Sequence, residues 1–142
     1  MSEKTRIIIM EDDEAIIKSL KKILTSKGYE VEAVTNGEEG IRRCGLRRFD
    51  LALLDIRLPK MNGTEVLEVL HRKFPEMIKI MITGYPSLEN AVASLKRGAD
   101  AYLMKPVSPY SLLKVIDEKI KERSRRSGHD VRRDGSSSVN EP

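Results

Sequence analysis

Short apolar runs, rich in β-branched residues, alternate with helical periodicity five times along this chain. The runs fall at 6–10, 29–34, 51–54, 78–82 and 101–104. Nearly continuous apolar runs suit strands buried on both faces, as in parallel sheets. The second run alternates instead and reads as an edge strand. Between the strands lie apolar stripes at helical spacing: Ile16, Leu20, Ile23 and Leu24, then Val66, Leu67, Leu70 and Phe74. Leu88, Ala91, Val92 and Leu95 form a third stripe, and Leu112, Leu113, Ile116 and Ile120 a fourth. Gly28 is placed to close the first helix, and Ser108 with Pro109 to open the last. The helix after Asn36 and Gly37 is the least well supported, because Gly40 and Gly45 lower its propensity.

Five βα units of this size predict an α/β fold: a doubly wound, five-stranded parallel sheet with helices on both faces. Residues 1–123 form one folded domain on this reading. From Ser124 the periodicity stops, and 124–142 reads as a flexible basic, Ser-rich tail or the start of a linker. Both a stand-alone domain and the front of a longer chain remain open.

Composition changes the picture little. The 142 residues are 39% apolar and 34% charged, with no Trp and two Phe, so the core must come from Ile, Leu, Val, Ala and Met. The net charge of +4 is spread along the chain without the asymmetry of a nucleic-acid binder. Arg42, Arg43, Arg47 and Arg48 cluster locally and read as a solvated helix face. Cys44 is the only cysteine, which excludes an internal disulfide and favours a small core residue over a reactive thiol. No apolar run approaches the roughly 20 residues needed to cross a bilayer, and no signal-peptide core precedes the first strand. A cytoplasmic location without membrane contact is expected.

Ligands of doubly wound sheets bind beyond the carboxyl ends of the strands. There the sequence places Glu11, Asp12 and Asp13 after the first strand and Asp55 at the end of the third. Thr83 with Gly84 follows the fourth, and Lys105 with Pro106 follows the fifth. Clustered carboxylates without histidine favour a hard divalent cation, Mg2+ or alternatively Mn2+. Asp55 beside such an ion is a carboxylate nucleophile for a phosphoryl group. Lys105 and Thr83 are placed to neutralise and hydrogen-bond the phosphoryl oxygens. Asp13 suits an N-cap better than a metal ligand, so Glu11 and Asp12 are preferred for the ion.

These segments resemble the receiver domains of response regulators over about the first 120 residues. Ile7-Ile8-Ile9-Met10-Glu11-Asp12-Asp13 is similar to that family's first strand and acid pair. The stretch from Leu51 through Asp55-Ile56-Arg57-Leu58-Pro59 to Gly63 resembles its phosphorylation strand and loop. Ile82-Thr83-Gly84-Tyr85 and Ala101-Tyr102-Leu103-Met104-Lys105-Pro106 resemble its switch strands. The resemblance implies strand order 2-1-3-4-5 and Asp55 as phosphoacceptor. It implies Glu11, Asp12, Asp55 and the Arg57 backbone carbonyl as metal ligands. It also implies Thr83 and Tyr102 as a coupled switch and a cis Lys105–Pro106 peptide. Glutamate rather than aspartate at position 11 departs from the commonest pattern.

The implied role is a phosphorelay switch rather than a turnover enzyme. It would catalyse its own phosphotransfer from a sensor histidine kinase or phosphotransfer protein, and its own slow dephosphorylation. Phosphorylation would alter the face of the fourth helix, fifth strand and last helix toward a downstream protein or a second copy. Arg57 and Tyr85 flank the site and would shield the acyl phosphate from water. An aspartyl-phosphate phosphatase is disfavoured, because Arg57 stands where its general-acid carboxylate belongs and no cap domain fits the length. Direct DNA binding lacks a helix-turn-helix. A phosphorylation-independent binding module on the same fold is the remaining alternative.

Overall fold

The computed structural model describes the backbone of residues 4–84 and 87–135, with side chains for all of these except 88–90 and 127–135. The elements run β1 (Arg6–Met10), α1 (Glu14–Ser26), β2 (Glu30–Val34), α2 (Gly37–Leu46), β3 (Leu51–Asp55), α3 (Gly63–Lys73), β4 (Ile78–Thr83), α4 (Leu88–Lys96), β5 (Ala101–Met104) and α5 (Pro109–Gly135). All strand pairs are parallel, in the order β2-β1-β3-β4-β5. This is the five-stranded parallel α/β sheet expected, with β2 at an edge.

Strand alternation divides the core in two. Ile7, Ile9, Leu51, Leu53, Ile78 and Ile80 pack with Leu20 and Leu24 of α1 and Leu112 and Ile116 of α5. Ile8, Met10, Ala52, Leu54 and Met81 face the other way, onto Cys44 of α2 and Val66, Leu67 and Leu70 of α3. Burial of these side chains at about 25 cal/mol per Å2 is the main force holding the layers together.

Local chemistry sets the helix ends. The Asp13 carboxylate accepts the Ala15 and Ile16 N–H groups at 2.9 and 3.2 Å, so it caps α1. Asn62 and Glu65 form a reciprocal capping box at the start of α3. Gly37 and Gly40 of α2 answer a packing need, whereas Gly45 faces open space. A Cβ on Gly40 would meet the Met10 side chain, and one on Gly37 the Val66 side chain. Close approach to β1 and α3 outweighs the propensity cost.

One expectation needs correction. The Val92 and Leu95 side chains are 42% and 52% exposed, while Ser94 between them is fully buried. Val92 and Leu95 of the α4 stripe therefore face away from the core. α5 runs through Gly135. Residues 136–142 of the anticipated tail lie outside the described residues.

Candidate functional site

β1 and β3 are neighbours, but the chain leaves them toward opposite faces. A crevice therefore opens beyond their carboxyl ends. Glu11, just past β1, and Asp55, the last residue of β3, are only 3% and 5% exposed. Asp12 beside them is exposed. One carboxylate oxygen from each of Glu11, Asp12 and Asp55 lies within 4.8 Å of the others. Oxygen donors in this number and spacing fit a hard divalent cation.

Lys105, arriving from β5, reaches into the cluster. Its Nζ donates to Asp55 Oδ2 at 3.1 Å and pairs with Glu11 Oε1 at 2.8 Å. The Arg57 N–H donates to Asp55 Oδ1 at 3.1 Å, and the Asp13 N–H to Glu11 Oε2 at 3.1 Å. Burial, followed by the charge of Asp55, pushes the Glu11 carboxyl above its ordinary range against the pull of Lys105 and the Asp13 N–H. Burial alone would lower the Lys105 amine, but the two carboxylates outweigh it and hold the ammonium firmly charged. Crowding of this kind is what a bound cation relieves.

Thr83 ends β4 fully buried, and its carbonyl accepts the Lys105 N–H at 2.7 Å. The Lys105–Pro106 peptide is cis. Tyr102, in the middle of β5, is half-buried against the α2–α3 core, and its hydroxyl is buried with no partner among the described residues. Glu11, Asp12, Asp55 and Lys105 thus meet at one point. Arg57 is exposed at its rim, and Tyr85 lies outside the described residues.

Other candidates fall elsewhere. Arg42 and Arg43 pair with Glu39, Arg43 and Arg47 with Glu32, and Arg48 with Asp50, so most of the charge in this cluster is taken up in local ion pairs. Cys44 is buried and its thiol is pushed up to about 11, chiefly by burial.

Sequence reasoning overlooked Gly63. Its N–H donates to the Ile56 carbonyl at 2.7 Å, and a Cβ there would run into the Asp55 backbone. Only glycine lets α3 start this close to the end of β3. Also overlooked was Lys79, buried within β4; a lysine inside an otherwise apolar run was the available signal.

The fold and the strand-end acids with their lysine define an open α/β domain with an acidic crevice beyond its strand ends. Residues 7–117 match the response regulator receiver domain, and the chain belongs to that family. It is 32% identical over 123 residues to the transcriptional regulatory protein GlrR of Escherichia coli K12, covering 86% of this chain and 28% of GlrR. It is 35% identical over 124 residues to the cell cycle response regulator CtrA of Brucella ovis, covering 87% of this chain and 52% of CtrA. The chain thus spans about a quarter to a half of these relatives. A CheY-like receiver domain protein from Methanospirillum hungatei JF-1 has 52% identity and a TM-score of 0.85, over 87% of this chain and 99% of that one.

Proposed function

We propose that this receiver accepts a phosphoryl group on Asp55 from a phosphohistidine donor, with Mg2+ bound by Glu11, Asp12, Asp55 and the Arg57 carbonyl. The observation that carries this reading is the buried Asp55 carboxylate held between Lys105 and two further acids. An Asp55 carboxylate oxygen attacks phosphorus in line, forming the acyl phosphate. The P–N bond breaks, and the donor imidazole keeps the electron pair. Lys105 takes up charge on the transferred oxygens, and Thr83 donates to one of them. When bound, the metal supplies charge neutralisation at the equatorial oxygens.

An apolar groove of about 330 Å3, lined by Ile16, Leu20, Ile23, Pro106 and Val107, opens beside Lys105 and gives a donor protein purchase. Movement of Thr83 toward the phosphoryl group draws Tyr102 with it. That motion biases the α4–β5–α5 face between two arrangements. Val92, Leu95, Met104 and Tyr110 stand exposed on those elements. This is the surface for a downstream protein or a phosphorylation-dependent homodimer. In a longer regulator the same motion would reach the output segment through α5. A cytoplasmic setting fits a kinase donor; among the described residues no helix is long and apolar enough to cross a membrane.

Incubation with acetyl phosphate, followed by intact-mass measurement, tests the reading. One added phosphoryl group is expected with Mg2+, none with EDTA, and none in a folded Asp55→Asn variant. Labelling that persists in that variant would move the acceptor elsewhere. No labelling under any condition would make the domain a phosphorylation-independent binding module.

A further inference from the structure

Glu11 and Lys105 sit at the ends of β1 and β5, which are separated by β3 and β4. Three strand spacings amount to roughly 14 Å. Two long side chains are needed to bridge that span, and these two do, at 2.8 Å between Oε1 and Nζ. The contact is shorter than the 3.1 Å from the same ammonium to Asp55. Aspartate at position 11 would be one methylene shorter and would retract its carboxylate from the lysine. The departure from the commonest pattern at this position thus has a direct structural result.

The oxygens that Lys105 holds belong to the same carboxylates that lie within 4.8 Å of Asp12 and face the cation position. Magnesium needs oxygen ligands at about 2.0–2.1 Å in near-octahedral array. An ammonium at hydrogen-bonding distance from these carboxylates draws on the same charge and the same lone pairs. We propose that Lys105 is an internal competitor of the metal, and that the glutamate at position 11 sets how strongly it competes. Metal entry would release Lys105 from Glu11 and free the amine for the phosphoryl oxygens. Metal would therefore precede phosphoryl transfer. This rests on the metal-assisted reading of Asp55.

The test is a double-mutant cycle on cation affinity, using the full chain and titration calorimetry with Mg2+ and Mn2+. Lys105→Met is expected to tighten binding about tenfold when residue 11 is glutamate, and by less than about threefold in the Glu11→Asp background. Lys105→Gln repeats the cycle with a polar side chain in case the methionine variant folds poorly. Equal tightening in both backgrounds would reduce the lysine to through-space repulsion and overturn the proposal. Unchanged or weaker binding in the lysine variants would overturn it as well. A wild-type chain that binds neither cation would remove both the competition and the metal-assisted reading beneath it.

Discussion

Lys79 is 1% exposed, and its Nζ has only the His71 Nδ1 at 3.3 Å as a side-chain partner among the hydrogen bonds described. Burial holds its amine below the ordinary lysine range, against the opposing pull of Asp100 and Glu76. Between the folded value and the unfolded value near 10.5, the unfolded chain carries a proton that the folded chain does not. Stability therefore rises as pH climbs toward 10.5. Lys79→Met is expected to stabilise the fold by about 1–3 kcal/mol at pH 7, with the gain shrinking by pH 9.5. Melting temperatures of both proteins at the two pH values check this, and a pH-independent gain would count against it. The glycines offer a second contrast. Gly63→Ala drives a Cβ into the Asp55 and Ile56 backbone, so a loss of about 2–3 kcal/mol is expected in urea unfolding. In Gly40→Ala the obstacle is the flexible Met10 side chain, and helix propensity improves, so a change within about 1 kcal/mol is expected.

Element by element, the sheet and most helices were legible because burial and periodicity agree. The apolar runs at 6–10, 51–54 and 78–82 became strands to within one residue. The first, second and last stripes point their leucines, with Val66 and Ile116, into the core. α4 was misread for a physical reason: a stripe at i, i+3, i+4 and i+7 ordinarily marks the core face, yet here it borders an open surface. The sheet side of this helix carries Ser94, whose buried hydroxyl has no partner among the described residues. Ser94→Ala is expected to stabilise by about 1 kcal/mol, since it removes an unsatisfied buried group. Val92→Lys and Leu95→Glu should each change stability by less than about 0.5 kcal/mol. Thermal melts would show it; losses of several kcal/mol would place that stripe inside. A helix that buries Ser94 and exposes Val92 and Leu95 gains little from apolar burial at these positions.

At the scale of the whole molecule, the strand-end positions of Glu11, Asp12, Asp55 and Lys105 followed from topology alone, because parallel strands deliver their carboxyl ends to one side. What the sequence could not reveal was reach: which long side chain crosses to which acid. Nor could it reveal the knot at the other end of β3. There Asp50 accepts the Arg6 N–H at 2.9 Å, and its backbone carbonyl and carboxylate accept from Arg123 of α5 at 3.1 and 3.2 Å. A five-residue strand is about 17 Å long. β3 is thus a short strut with Asp55 at its tip and the moorings of α5 at its foot. On the proposed reading of Asp55, anything joined beyond α5 would hang from the pole opposite an arriving donor. Two bulky bodies could then be seated on this small domain together, neither having to leave before the other docks.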